Sequence, residues 1–243
     1  MTEEIKDRFN RVQEEIAEAA ARAGRNPQAI TLVVVTKFQP VEKIAEVIAA
    51  GATQLGENYP EETHQKILQS DHLSAEGLHW HMIGHLQSRK IKYLIQHFDM
   101  FHSLDRPELF TELEQKYAAL EKTLPVLIEV NVSGEETKHG FPVWDQISWP
   151  VFAEQLARWQ SDCPHLQLRG LMTMPPLAER PEDSRSYFVK TRELAEFVRA
   201  NSSLAHFTEL SMGTSADYGV AVTEGATYVR IGESIMGKRP TKN

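Results

Sequence analysis

Residues 32–40 read LVVVTKFQP: three consecutive valines, a threonine, then Lys37. A lysine that ends an apolar strand reaches water easily along its own aliphatic stem. The same position also suits a nucleophile, because a desolvated amine loses pKa and condenses with a carbonyl to give a Schiff base. The spacing alone leaves both readings open. Two later stretches bear on the choice. SMGTSAD, 211–217, combines Gly213 with the hydroxyls of Ser211, Thr214 and Ser215, and Thr214 to Asp217 is a helix-capping pattern. RIGESIMG, 230–237, adds the backbone N–H groups of Gly232 and Glu233. Glycine admits a close backbone approach and a helix start exposes N–H donors, so either stretch suits an anion; either also suits ordinary capping and turning.

Other chemistry-bearing types are more ambiguous. Arg230 stands two residues before Gly232, on the same face of a strand, and a buried arginine needs an acceptor. Glu129 or Glu209 would serve as a structural ion-pair partner; an aromatic nitrogen of a ligand is the alternative. In HWHMIGH, 79–85, His79 and His81 share a strand face, but no carboxylate or cysteine signature accompanies them, so no metal site is expected and His81 is read as lining or supporting the site. The tryptophans at 80, 144, 149 and 159 read as packing residues. The single cysteine, Cys163, has no activating neighbour in sequence and excludes an intrachain disulfide.

These residues need a scaffold, and the chain supplies a strand–helix rhythm. Ile5, Phe9, Val12, Ile16 and Ala19/Ala20 have helical spacing in 2–23, with Gly24 as a stop. Strands are expected at 30–36, 52–58, 78–84, 99–104, 125–133, 166–174, 206–213 and 227–234, with helices at 40–51, 59–70, 86–98, 106–123, within 145–161, within 182–201 and near 215–223. Residues 133–150 read as a loop. Such alternation implies parallel strands with right-handed crossovers. An open doubly wound sheet competes, but eight strands in 243 residues without a linker favour a (β/α)8 TIM barrel, α/β in class, with an extra N-terminal helix and one domain over residues 1–243. In a barrel Lys37, Asn58, Gly84, the GTS loop and the GE pair all fall at C-terminal strand ends, on one face. Barrels commonly bind phosphate in the loops after the seventh and eighth strands, so a phosphate-bearing ligand is expected.

Composition bounds the partners. With 41% hydrophobic and 25% charged residues the chain is an ordinary soluble globular sequence, and its net charge of −8 argues against a general nucleic-acid binder. No apolar run approaches membrane-spanning length, the N-terminus is charged and amphipathic rather than signal-like, and one cysteine suits a reducing cytoplasm. A cytoplasmic protein without membrane or nucleic-acid partners is expected.

The stretches VVVTKFQP, LGENYPEE, HMIGHLQSRK, SLDRPEL, VLIEVNVSGEETKHGF, LRGLMTMPP, LSMGTSADY and VRIGESIMG, in this order, resemble the YggS/PROSC family of pyridoxal 5'-phosphate-binding proteins, from about residue 5 to 239. That family is similar to the N-terminal barrel of alanine racemase, pyridoxal-phosphate fold type III. The resemblance implies that Lys37 forms the internal aldimine and that Asn58, His81 and Gly84 surround the ring. It implies that Ser211, Gly213, Thr214 and Ser215 surround the phosphate with the backbone of Gly232 and Glu233, and that Arg230 faces the pyridine nitrogen. Thr214, Glu233 and Arg89 depart from the commoner family spellings. The family resemblance implies a carrier or regulator in vitamin B6 and amino-acid homeostasis, passing the cofactor to pyridoxal-phosphate-dependent apo-enzymes. The alternative is a racemase or decarboxylase acting on amino acids. The sequence ends at Asn243, just past the eighth strand, so the racemase's second domain and its tyrosine are expected to be missing, which favours the non-catalytic carrier and a monomer.

Overall fold

Thr31–Val35 is rich in β-branched residues and forms the first strand, β1, with Val33 and Val35 on one face and Val34 on the other. The structure, a computed structural model, describes residues 4–238, so residues 2 and 3 of the expected first helix and residue 239 lie outside the described residues. The remaining barrel strands are Gln54–Glu57 (β2), His79–Met82 (β3), Met100–Leu104 (β4), Leu124–Asn131 (β5), Leu166–Met172 (β6), Glu209–Ser211 (β7) and Tyr228–Ile231 (β8). Each pairs in parallel with the next. The sheet closes where β8 pairs with β1, from Thr31↔Tyr228 to Val34↔Ile231. The expected parallel barrel is the observed fold.

Nine helices occur among the described residues: Ile5–Arg22 (α1), Val41–Ala49 (α2), Pro60–Gln69 (α3), Ile91–His97 (α4), Pro107–Ala118 (α5), Trp149–Asp162 (α6), Arg185–Asn201 (α7), Tyr218–Thr223 (α8) and Glu233–Met236 (α9). Proline opens α3, α5 and α6, where a missing N–H costs nothing. Their apolar faces and the outer barrel face form one continuous core. No described helix is long and apolar enough to cross a membrane.

The ends of the barrel depart from the sequence expectation. The last two strands are shorter, because Gly213 turns the chain away after β7 and Gly232 starts α9 directly after β8. The loop 133–150 contains a two-residue strand, Phe141–Pro142, paired with Val130 and Asn131 of β5. Gln146–Ser148 is a short 3-10 turn whose start is capped by the Asp145 side chain.

Helix α1 flanks the barrel. It ends in a Schellman turn, with Arg25 N–H donating to Ala20 O at 2.9 Å, Gly24 N–H to Ala21 O at 3.0 Å, and Gly24 at φ 66°. Its apolar face packs across α2, α8 and α9. Since α9 has four residues, it leaves the outer ring a helix short, and α1 covers that gap. Arg25 fastens it by donating to Val222 O at 2.5 Å and Ala226 O at 2.8 Å.

Inside the barrel Met100, Leu127 and Met172 pack against Tyr228, whose ring centroid lies 5.9 Å from that of His81 and 5.2 Å from that of His102. Gly170 of β6 pairs with Glu209 of β7, and a Cβ on it would stand 1.8 Å from Glu209 O. Gly170→Ala is expected to push these strands apart and destabilise the fold by about 3 kcal/mol. Urea unfolding reads this directly; an unchanged midpoint would show that the close approach does not set the strand spacing.

Candidate functional site

Lys37 follows β1 by two residues and its position is imposed from both sides. Thr36 O accepts from Lys66 Nζ at 3.0 Å, and Phe38 N–H donates to Glu62 Oε1 at 2.9 Å. Phe38 itself takes the left-handed conformation, φ 61°, with its ring 5.1 Å from that of Tyr59. The Lys66 ammonium, 6% exposed, also donates to Glu57 Oε1 at 2.7 Å and lies 2.8 Å from Glu62 Oε1, so its three N–H groups meet three acceptors. Glu57 Oε1 accepts from Thr36 Oγ1 as well, at 2.7 Å. Burial raises the Glu57 pKa, opposed by Lys66.

At this mouth lies a cavity of about 670 Å³. It is lined by Lys37 from β1, Asn58 from β2 and Gly84 from β3. Thr214 and Ser215 line it after β7, and Arg230, Gly232 and Glu233 at and after β8. Eight of the eleven expected site residues therefore meet on one surface. Two acceptors on that surface, Gln39 Oε1 and Asn58 Oδ1, are buried with no hydrogen-bond partner among the described residues. A Cβ on Gly84 would stand 2.6 Å from Asn58 O, so the two backbones form one tight wall.

The other three, His81, Ser211 and Gly213, do not line the cavity. Gly213, at φ 92°, crosses over α8, where a Cβ would stand 2.6 Å from the Ala221 Cβ. His81 and Ser211 belong to a buried chain of side chains beneath the floor. His81 Nε2 lies 2.7 Å from Gln54 Oε1, His81 Nδ1 2.9 Å from His102 Nε2, and His102 Nδ1 2.9 Å from Ser211 Oγ. Burial pushes His81 down to about 3 and His102 well below its ordinary value, so both rings are neutral. Each neutral ring has one donor and one acceptor nitrogen. Gln54 Oε1 accepts, so the proton of His81 is on Nε2, that of His102 is on Nε2, and the Ser211 hydroxyl donates to His102. The Ser211 lone pairs then accept from Arg230 Nη1 at 2.6 Å.

Arg230 is thus held by neutral acceptors, with Thr173 O taking Nη2 at 3.0 Å. Neither of the structural ion pairs offered as one reading, with Glu129 or with Glu209, forms within contact distance among the described residues; Glu129 acts through space. Burial lowers the guanidinium to about 10, opposed by Glu129 and Asp217, so it stays cationic at neutral pH. Burial also pushes Glu129 up to about 7, with Asp105 raising it further and Arg230 lowering it.

The capping pattern in SMGTSAD runs opposite to expectation in one respect. Asp217 Oδ1 accepts from Thr214 N–H at 2.7 Å and from Thr214 Oγ1 at 3.1 Å, which commits both Thr214 donors to α8. Ser215 Oγ joins the two loops by accepting from Ser234 N–H at 3.3 Å. Sequence reading missed Glu57, Glu62, Lys66, Gln54, Gln39 and His102. Their periodicity marks them as strand or helix residues, and no local pattern says which face another polar group. Of these two histidines on one strand face, His79 is exposed and His81 is buried.

A parallel barrel carrying a lysine just past its first strand and anion-compatible loops after its last two defines a class. Residues 9–240 match the family described as alanine racemase, N-terminal domain. The fold is shared with alanine racemase from Corynebacterium glutamicum, TM-score 0.63 at 15% identity, covering 95% of this chain and 61% of that one. The pyridoxal phosphate homeostasis protein of Escherichia coli K12 is 38% identical over 97% of both chains, and that of Aquifex aeolicus 40% over 96% of this chain and 97% of the relative. PipY of Synechococcus elongatus, solved with pyridoxal phosphate bound, superposes with TM-score 0.76 at 30% identity over 91% of this chain and all of that one, 100%. The chain belongs to the pyridoxal phosphate homeostasis protein family.

Two outcomes test the electrostatics. Lys66→Met leaves Glu57 buried without its cation, so a loss of about 3 kcal/mol is expected at neutral pH, smaller in acid where Glu57 takes up a proton. Urea unfolding at both pH values measures it, and an equal loss at the two would contradict the ion-pair account. For Glu129, a pKa raised from 4.5 to about 7 means the folded protein binds more proton than the unfolded chain in that window, so stability falls as pH rises through it. Glu129→Gln removes this slope. Relative to the parent, the variant should gain stability across the window by at most about 3 kcal/mol, read from unfolding curves at several pH values.

Proposed function

We propose that this protein holds pyridoxal 5'-phosphate through a Schiff base on Lys37 and serves as a carrier and regulator of that cofactor. The observation that carries the reading is the shared cavity surface. Lys37, the floor cation Arg230 and the loops after β7 and β8 all face one space of about 670 Å³. Lys37 would hold the group through its amine, and the group would supply the aldehyde that condenses with that amine with loss of water. Ser215 and the first N–H groups of α9, at Gly232 and Glu233, receive the phosphate; the commitment of Thr214 to Asp217 assigns it a backbone-shaping role. Asn58 and Gln39 offer unpaired acceptors to ring substituents or to water around them. His81, Ser211 and Gly213 support the site from behind.

Bound pyridoxal phosphate supplies a reactive aldehyde and an electron-accepting ring. A cationic Arg230 toward the ring nitrogen disfavours its protonation, which weakens electron withdrawal and fits holding better than turnover. The names of the relatives, homeostasis proteins, favour the same reading. The protein acts as a monomeric, single-domain barrel in the cytoplasm and meets apo-enzymes transiently as recipients.

The test is the visible spectrum of purified protein with added pyridoxal phosphate, then borohydride reduction and peptide mapping, beside Lys37→Ala. A yellow protein with the phosphopyridoxyl mass on Lys37, and no such adduct in the variant's corresponding peptide, is expected. A colourless protein with Lys37 unmodified sinks the reading. Racemisation or decarboxylation of amino acids at ordinary enzymatic rates would replace the carrier with the catalytic alternative.

A further inference from the structure

His85, Asp105 and His139 arrive from three different strand ends, following β3, β4 and β5. One ring nitrogen of each histidine and one oxygen of Asp105 lie within 4.8 Å of one another. The two imidazoles stack with centroids 5.1 Å apart and planes at 29°. His85 Nδ1 is 2.6 Å from Asp105 Oδ2, so two good ligands already stand at hydrogen-bond distance. Both histidines are exposed and line the cavity, whereas the Asp105 side chain is 4% exposed. The carboxylate is held from behind: Asp105 Oδ1 accepts from Arg106 Nη1 at 2.8 Å, and Arg106 Nη2 donates to Leu86 O at 2.7 Å.

We propose that these three residues bind one divalent transition-metal ion of the zinc type at the rim of the cavity, with water on the open side. Two imidazoles and a carboxylate form the three-ligand, one-open-position pattern of zinc. The nitrogen ligands disfavour magnesium and calcium, which prefer all-oxygen shells. Ligands about 2.0–2.1 Å from a tetrahedral ion stand about 3.4 Å from one another, inside the 4.8 Å that bounds these three atoms. Arg106 supplies the outer contact that orients the carboxylate. Its charge also opposes a cation, and it approaches His85 Nε2 at 3.5 Å, so a micromolar rather than nanomolar site is expected.

The ion would tie the loops after β3, β4 and β5 together across the mouth. The binding stands apart from the ligand proposed above; its consequence, slower exchange of the cavity's occupant, rests on that reading.

The experiment uses full-length protein treated with chelator and freed of carbonyl ligands with hydroxylamine. Cobalt(II) is titrated by visible absorption, and zinc by calorimetry. The expected result is one ion per chain and a low-coordinate cobalt spectrum. His139→Gln, at an exposed position, should weaken binding at least about tenfold with an unchanged metal-free melting curve. His97→Gln removes one member of a close histidine pair away from the mouth, His64 and His97 at 2.7 Å, and should leave binding intact. No saturable binding, binding that survives His139→Gln, or binding abolished by His97→Gln overturns the site. With zinc bound, release of pyridoxal phosphate to an acceptor amine should slow. Unchanged release overturns the clamp and leaves the metal site standing, and a protein that takes no pyridoxal phosphate leaves the titration as it is.

Discussion

The buried ammonium of Lys66 is the constraint on which the mouth of the barrel depends, because it converts a flexible strand end into a fixed one. Removing a lysine from water costs several kcal/mol, and only a complete set of acceptors offsets it. Here those acceptors are a β2 carboxylate, a carboxylate from its own helix and the carbonyl of Thr36. All three belong to or bond the residues on either side of Lys37. The left-handed Phe38, an unfavourable conformation for a bulky residue, is tolerated because Glu62 and Tyr59 hold it. The strand end is thereby aimed by residues that do not line the cavity.

Arg230 is held on a different principle. Its partners are a hydroxyl, a carbonyl and a thioether rather than a carboxylate. A neutral shell leaves the positive charge uncompensated at short range, so its field extends into the cavity. The two neutral histidines behind Ser211 make that shell directional. Their tautomers follow from Gln54 at one end and terminate in a hydroxyl able to accept from Arg230 at the other. The barrel core is polar here for positioning, and Met100, Leu127 and Met172 form a small apolar cluster beside it.

The rim is built from longer, less regular chain. The loop after β5 gains a two-residue strand and reaches back to the mouth, where Lys138 and His139 join the lining. Such loops carry variation while the strand ends hold their geometry. Helix α1 serves the opposite requirement, packing against the four-residue α9 and α8 on the outside of the barrel.

The alternation of apolar strands with amphipathic helices determined the class of fold, since both periods are local properties of the chain. It also determined that Lys37, Gly84, Gly232 and the Thr214–Ser215 pair stand at strand ends, because each follows an apolar run by a residue or two. The eight-motif resemblance carried the ligand class. Only the tertiary structure decided which polar groups meet. Thr36 with Glu57 and Lys66, Ser211 with His102, and His85 with Asp105 and His139 are pairings between neighbouring or facing strands and loops. Which side chains come opposite one another depends on register and on how the sheet closes. Register is set by packing of the whole barrel, and a strand that reads the same in sequence places its polar residues differently when its neighbour slides by a single position.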